Sequence, residues 1–137
     1  MIVVDSSAII AILRLEPEAD AFLLAIVNAD GIEMSTMSAL EVSLVLAGAN
    51  GEATVWAPFD ELLERAGIVV VPFDQEQMRV AREAFLRYGK GRHPAGLNLG
   101  DCASYALAAA RRAPLLFKGE DFSRTDLIAA VGAEAKH

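Results

Sequence analysis

Four short, mostly apolar runs alternate along the chain with longer segments in which apolar residues recur three and four positions apart. The runs cover residues 2–5, 32–36, 68–72 and 115–118. Short apolar runs are typical of buried strands, and the longer spacing is typical of amphipathic helices. Alternating strands and helices form a parallel sheet covered by helices on both faces. We therefore predict a three-layer α/β/α fold with a mainly parallel sheet of four to five strands, the fifth a weak candidate near 133–136.

The length and composition predict one domain over residues 1–137, because the chain has 137 residues of which 54% are hydrophobic. Every apolar stretch is shorter than the roughly 20 residues that a membrane-spanning helix needs. The first residues lack the basic region of a signal peptide. The single cysteine, Cys102, excludes an intrachain disulfide and is expected to be buried filler. These features predict a cytoplasmic protein without a membrane segment.

Several residues predict where helices begin and end. Pro17 fits the first turn of one helix, and Ser38 and Asp74 fit the N-cap positions of two others. Asn98 is expected to cap a long helix that runs to Arg112, before a proline. The boundaries place a glycine-rich loop at 88–96.

Four acidic residues lie where the predicted strands end or where the following helices begin: Asp5, Glu41, Asp101 and Asp121. The carboxyl ends of parallel strands share one edge of a sheet, and ligands of open α/β sheets bind outside that edge. We therefore expect the four carboxylates to converge in one pocket.

Local explanations also exist, because acids are favoured at helix N-termini. Ser38 and Glu41 have the spacing of a capping box, and Asp101 is the third residue after Asn98. Asp5 differs, because we expect the two serines after it to cap the first helix and to leave its carboxylate without a local role. Asp5 is therefore the strongest single indication of a functional site.

Clustered carboxylates repel one another unless a cation or protons neutralise them. Mg²⁺ prefers oxygen ligands and binds through carboxylates, water and phosphate oxygens. The sequence has no set of histidines and cysteines that fits a zinc site. A pocket of carboxylates that holds such cations is suited to phosphodiester hydrolysis.

Four segments carry a resemblance to a known family: I-V-V-D-S-S-A-I-I-A-I-L, S-A-L-E-V, L-N-L-G-D-C-A-S-Y-A-L-A and L-L-F-K-G-E-D-F. At these spacings, over nearly the whole chain, the sequence resembles the PIN domain of VapC-type toxins from bacterial toxin–antitoxin systems. The resemblance implies a Mg²⁺-dependent endoribonuclease, with Mn²⁺ as a substitute, that cleaves structured RNA such as transfer or ribosomal RNA. It also implies a homodimer and a VapB-like antitoxin that neutralises the toxin.

The resemblance assigns the family's metal-binding acids to Asp5 and Asp101 and its further active-site acids to Glu41 and Asp121. We expect Asp5, Asp101 and Asp121 to hold the metal and Glu41 to orient the attacking water or a second ion. Ser6 or Ser7 matches the small polar residue after the first aspartate, which could hold that carboxylate or a scissile phosphate.

The fourth acid departs from the pattern T-x-D-x-D-F of many PIN domains, because Gly119 stands where one aspartate would be. Asp121, Glu120 or Asp126 could complete the site, and we favour Asp121.

The formal charge of −7 argues against a broadly basic nucleic-acid-binding surface. Positive charge is nevertheless concentrated in one region, which holds seven of the twelve basic residues: Arg79, Arg82, Arg87, Lys90, Arg92, Arg111 and Arg112. This region is either a solvated helix face or an RNA-binding rim, in which Lys90 and Arg92 on the glycine-rich loop would contact phosphates.

Two other readings remain open. In a Mg²⁺-dependent phosphatase, Asp5 would be a covalent nucleophile, although Ser7 stands where the haloacid-dehalogenase pattern has a second aspartate. Alternatively, the chain could be a binding module that has the same fold but catalyses no reaction.

Overall fold

A computed structural model describes residues 1–48 and 51–131. Within these ranges, no helix combines the length and the apolar composition that a membrane crossing requires. The elements are, in chain order, β1 (Ile2–Val4), α1 (Ser6–Leu13), α2 (Ala19–Asn28), β2 (Ile32–Ser35), α3 (Thr36–Ala47), α4 (Ala57–Ala66), β3 (Ile68–Val71), α5 (Gln75–Tyr88), α6 (Leu99–Arg111) and β4 (Leu115–Leu116). Short 3₁₀ turns cover Ala53–Trp56 and Phe122–Arg124.

The four strands form one parallel sheet in the order β3-β2-β1-β4. Ile2 is paired with Ile32, and Val3 with Leu115 on the other side of β1. This confirms the predicted α/β class and the four strand positions. The candidate strand near 133–136 lies outside the described residues; Ala129 forms a single parallel bridge with Leu115.

The strand order places a topological switch point between β1 and β4. The chain moves from β1 through β2 to β3 on one side and then returns to add β4 on the other side of β1. Crossover connections leave in opposite directions at such a point, which opens a crevice at the carboxyl ends of the two strands. Asp5 is the first residue beyond β1 and therefore lies at this crevice.

The core has two layers, one on each face of the sheet. Val3 is buried among residues of α5 and α6. The next residue, Val4, is buried with side chains of α1 and α2, among them Ile9 and Phe22. Successive strand residues point to opposite faces, so this division is the expected consequence of a sheet covered on both sides. The predicted three-layer arrangement is confirmed.

Two predicted helix N-termini are correct. Asp74 caps α5 by accepting a hydrogen bond from Gln77 N (2.9 Å), and Asn98 caps α6 by accepting one from Asp101 N (2.9 Å). Helix α6 ends at Arg111, and Arg112 is its left-handed C-cap with φ 51°.

Two other predicted N-termini are wrong. Ser35, not Ser38, caps α3, because its hydroxyl accepts from Met37 N and the helix begins directly where β2 ends. Ser38 is consequently inside the helix, and it forms no capping box with Glu41. Pro17 lies in the turn before α2 rather than in its first turn.

Candidate active site

Asp5 is the N-cap of α1, which corrects the expectation that its carboxylate has no local role. Its Oδ2 accepts hydrogen bonds from Ser7 N (3.0 Å) and Ser7 Oγ (2.6 Å). Its Oδ1 accepts one from Ser104 Oγ (2.5 Å), 99 positions away in α6. Only 2% of the residue is exposed. Three donors therefore hold a buried carboxylate in one orientation at the end of β1.

Ser7 also connects the two strands of the switch point. Its hydroxyl accepts a hydrogen bond from Lys118 N (3.0 Å), just beyond β4, while it donates to Asp5. The Lys118 side chain is paired with Glu16 (2.7 Å). Its ammonium group is therefore directed to α1–α2 connecting residues.

Glu41 is held by the other serine of the pair. Ser6 Oγ donates to Glu41 Oε1 at 2.6 Å. The carboxylate lies against the first turn of α6, where a methyl group on Gly100 would come within 2.5 Å of Glu41 Oε2. The absence of a side chain at Gly100 therefore permits the close approach of Glu41 to the turn that carries Asp101.

Asp101 helps to cap the start of α6, and the pKa of its carboxyl is raised. Its Oδ2 accepts from Asn98 N at 3.0 Å, which completes a capping box. Burial raises the pKa of the Asp101 carboxyl from 3.8 to about 6. The Asn98 amide opposes this change, while the negative charges of Asp5, Asp121 and Glu41 raise the pKa further. The four acids that the sequence singled out are thus within electrostatic reach of one another.

The three candidates for the last acid lie in different surroundings. The Asp121 side chain is exposed, and its negative charge raises the pKa of Asp101. Asp126 instead accepts a hydrogen bond from Tyr105 Oη (2.6 Å), and its other oxygen lies 3.8 Å from an Arg87 nitrogen. Glu120 is exposed, and its carbonyl accepts from Ser123. The charge of Asp121 thus reaches Asp101, whereas the contacts of Asp126 tie it to Tyr105 in α6 and Arg87 in α5.

The donor chemistry of this pocket fits a hard divalent cation. Carboxylate and hydroxyl oxygens surround it, whereas burial and the nearby Asp101 charge raise the pKa of the Cys102 thiol to about 11, which disfavours a thiolate ligand. His93 Nδ1 accepts a hydrogen bond from Ala95 N within its own loop (3.0 Å). Among the described residues, no three acidic, His or Cys side chains already form a complete ligand set.

The glycine-rich loop is an ordered connection to α6. Lys90 N donates to Leu97 O and Leu97 N to Tyr88 O, both at 2.9 Å, so the loop is closed at its base. Lys90 and Arg92 are exposed, and the Arg92 guanidinium lies 5.9 Å from the centre of the Phe85 ring. The loop leads directly into the turn that carries Asp101, and its two cations are accessible to a ligand from solution.

Sequence reasoning missed three residues of this site: Ser38, Gly100 and Ser104. Ser104 donates to Asp5 and Ser38 contacts Ser104, and both are fully buried. A signal was present, because Ser104 interrupts an otherwise apolar stretch of a helix, and a buried hydroxyl requires a partner. The sequence did not identify that partner.

Solved structures share this fold. VapBC2 from Rickettsia felis, bound to a promoter DNA fragment, matches with a TM-score of 0.74 over 94% of this chain and 97% of that chain, at 16% identity. VapC20 from Mycobacterium tuberculosis, described as a sarcin-ricin loop cleaving toxin, matches with a TM-score of 0.72 over 93% of this chain and 97% of that chain, at 18% identity.

Sequence relatives are closer. Ribonuclease VapC28 of Mycobacterium tuberculosis is 50% identical over 124 residues, which cover 90% of this chain and 92% of that protein. Ribonuclease VapC of Mycolicibacterium smegmatis is 47% identical over 127 residues, which cover 93% of this chain and 98% of that protein. The PIN domain family model matches residues 2–128. The chain therefore belongs to the PIN domain family and, within it, to the VapC group.

Proposed function

We propose that this chain is the toxin of a VapBC-type toxin–antitoxin pair and that it hydrolyses phosphodiester bonds in RNA with the help of Mg²⁺. The observation that carries the proposal is the contact of two acids with the first turns of α6. Ser104 of this helix donates to Asp5, and Glu41 lies against Gly100, the residue before Asp101. The negative charges of Asp5, Glu41 and Asp121 also raise the pKa of Asp101. Relatives that are about half identical to this chain are named ribonucleases, which supports the same reaction.

In the proposed mechanism, Asp5, Asp101 and Asp121 hold Mg²⁺, for which Mn²⁺ can substitute. When bound, the cation supplies polarisation of the attacking water and of the scissile phosphate. Ser7 and Ser104 keep the Asp5 carboxylate in place through their hydrogen bonds.

Glu41 orients the attacking water. Ser6 engages its Oε1, so Oε2 is the oxygen available to accept a proton from that water. The water oxygen then bonds to phosphorus as the bond from phosphorus to the 3′ oxygen breaks. The departing 3′ oxygen takes up a proton from solvent, and Glu41 returns the proton that it accepted to solvent. The products are a 5′ phosphate on the downstream fragment and a 3′ hydroxyl on the upstream fragment.

The proposed substrate is structured RNA such as transfer or ribosomal RNA. Lys90 and Arg92 would contact its phosphates from the loop that leads to Asp101, which lets a protein of net charge −7 bind a polyanion locally. The similarity to VapC20, described as a sarcin-ricin loop cleaving toxin, supports this substrate class.

The proposed protein partners are a second copy of the chain, in a homodimer, and a VapB-like antitoxin, all in the cytoplasm. Similar folds occur in VapBC2 and in a toxin–antitoxin complex from Klebsiella pneumoniae. An arginine of the antitoxin would neutralise the toxin by pairing with the pocket carboxylates, because guanidinium groups form strong hydrogen bonds with carboxylates.

The test compares RNA cleavage by the wild type, Asp5→Asn and Asp101→Asn in Mg²⁺ and in EDTA. Each substitution, and EDTA, should reduce cleavage at least about 100-fold, because each removes electrostatic stabilisation of the transition state. Asp20→Asn, which removes an exposed acid in the first turn of α2, is the matched control and should retain wild-type cleavage.

Wild-type cleavage by either site variant, in preparations free of contaminating nuclease, would overturn the assignment. An aryl-phosphatase assay runs in parallel. Turnover of the aryl phosphate without RNA cleavage would indicate a phosphatase, and absence of both activities would indicate a binding module.

A further inference from the structure

Two serines that are fully buried connect the helices that carry the acids. Ser38 lies in α3 and Ser104 in α6, and their hydroxyl oxygens are 2.9 Å apart. Ser38 is three residues before Glu41, and Ser104 is three residues after Asp101, so each serine lies about one helical turn from an acid. Apolar residues are the usual occupants of such helix faces, because a buried hydroxyl is unfavourable unless it is hydrogen-bonded.

The hydrogen bonds of the two serines have one direction. A carboxylate oxygen only accepts, so the hydrogen of Ser104 Oγ is directed to Asp5 Oδ1 (2.5 Å). A hydroxyl has one hydrogen, so Ser104 must accept from Ser38. The relay Ser38 to Ser104 to Asp5 therefore ends on the carboxylate, and Ser7 provides its other two hydrogen bonds.

We propose that Ser38 and Ser104 are positioning residues that orient the Asp5 carboxylate for cation binding. The proposal rests on the proposed function, because it assigns Asp5 as a ligand. Outer partners that hydrogen-bond to a ligand fix its orientation, and their removal commonly weakens metal affinity. Ser104 acts directly on Asp5. Ser38 acts only through Ser104, by fixing the direction of its hydroxyl.

The relay also fixes the spacing of the pocket. It joins the end of β1 to α6 and α6 to α3, so Asp5, Asp101 and Glu41 lie on elements that are connected by hydrogen bonds close to the acids. General packing alone would hold the helices together but would not orient one carboxylate. This difference separates a positioning role from a structural one.

The experiment is a double-mutant cycle with Ser104→Ala, Ser38→Ala and the double variant. The dissociation constant of Mn²⁺ is measured by titration, with free Mn²⁺ followed by electron paramagnetic resonance, so that the readout does not depend on RNA cleavage. Ser104→Ala should raise the constant roughly tenfold. Ser38→Ala should raise it less, and it should have no further effect in the Ser104→Ala background, because Ser38 acts only through Ser104.

Three further variants control the interpretation. Ser43→Ala removes a hydroxyl of α3 that bonds only to a backbone oxygen within its own helix, Ala39 O at 2.8 Å, and should not change Mn²⁺ binding. Ser104→Cys places a somewhat larger atom with a weak donor at the same position, so it leaves no cavity but should lose affinity as Ser104→Ala does. Asp5→Asn reports whether the observed Mn²⁺ site is the proposed one. Circular dichroism and thermal melting verify that each variant folds.

The outcomes separate this proposal from the proposed function. If Mn²⁺ binding depends on Asp5 but is unchanged in Ser104→Ala, or if the effects of Ser38→Ala and Ser104→Ala simply add, the relay proposal fails and the metal site stands. If the wild type binds no Mn²⁺, or if Asp5→Asn binds it equally well, both proposals fail.

Discussion

Asp101 combines two roles that make opposite demands on its charge. As the third residue of α6 it accepts a hydrogen bond from Asn98 N, which favours the ionised form. Burial and the neighbouring acids disfavour that form and raise its pKa to about 6. A carboxyl with such a pKa takes up a proton under mildly acidic conditions. A cation that replaces this proton would relieve the same repulsion, so the titration of Asp101 and cation binding are coupled.

We predict that Mg²⁺ stabilises the protein more at about pH 7.5 than at about pH 5. The folded-state pKa of Asp101 is raised above 3.8, so without metal its contribution to the free energy of unfolding is largest below that value and is lost as the pH rises through about 6. Mg²⁺ competes with the proton for Asp101. Above the pKa of Asp101, bound Mg²⁺ therefore restores the stability that the protein loses when this carboxyl ionises. The measurement is the melting temperature with and without MgCl₂ at both pH values.

The control for this prediction is Asp101→Asn, which removes the titrating group. In this variant the stabilisation by Mg²⁺ should be small at both pH values, because a ligand charge is missing. Equal stabilisation of the wild type at both pH values would contradict the coupling between the proton and the metal.

At the scale of elements, the ends of helices decide which side chains reach the pocket. Because α3 begins directly after β2, with Ser35 as its cap, Ser38 is the third residue of the helix and points inward to Ser104. The glycine-rich loop is similarly defined by its closure, since hydrogen bonds at Tyr88 and Leu97 hold its ends together. These bonds hold the backbone of Lys90 and Arg92 close to the start of α6.

We predict that replacing Lys90 and Arg92 with alanine makes the affinity for RNA less dependent on salt. Each phosphate contact releases a counterion, so the loss of two should reduce the slope of log K against log salt by about 1.4 to 1.8. Filter binding of an RNA fragment to the Asp5→Asn variant, which is expected not to cleave it, measures the slope. Replacing Arg14 and Arg65, exposed at the C-terminal ends of α1 and α4, removes the same charge and should leave the slope nearly unchanged. If both double variants reduce the slope equally, the effect comes from net charge and not from contacts of the loop with phosphates.

For the whole molecule, the sheet order determines that distant segments meet. Ser104, three residues after Asp101 in α6, donates to Asp5 over a separation of 99 positions. The charge of Asp121, in the segment after β4, acts on Asp101. A few residues later, Asp126 attaches this segment to α6 through Tyr105. Asp121 and Asp126, five positions apart, therefore interact with different residues: the first with Asp101 and the second with Tyr105.

We predict that Asp121→Ala and Asp126→Ala have opposite effects. Asp121→Ala should reduce RNA cleavage and leave the melting temperature nearly unchanged, because its side chain is exposed and near like charges. Asp126→Ala should retain cleavage and reduce stability by about 1 kcal/mol, the typical contribution of a hydrogen bond, or a few degrees of melting temperature. Cleavage rates and thermal melts of both variants, each serving as the control for the other, measure this. Loss of cleavage in Asp126→Ala alone would show that Asp126 is the fourth acid.

Much of the fold was predictable because it depends on local patterns. Apolar runs identify the strands, and the residues Asp74 and Asn98 cap helices through contacts with amides three residues away. Errors arose where two nearby residues could perform the same local task. Ser35 and Ser38 are both suitable caps, and only the position at which β2 leaves the sheet selects Ser35. The same applies to Asp5, which itself caps α1 although two serines follow it.

Hydrophobic periodicity and strand-end chemistry are local properties, so the sequence alone predicts the α/β class, the positions of the four strands and the identity of the acids that follow them. Tertiary packing sets which serine holds which carboxylate, how Gly100 lets Glu41 approach α6, and that Ser38 and Ser104 form a relay to Asp5. These contacts join segments far apart in the chain, and hydrogen bonds of 2.5 to 2.9 Å depend on how helices pack on the sheet rather than on neighbours in sequence.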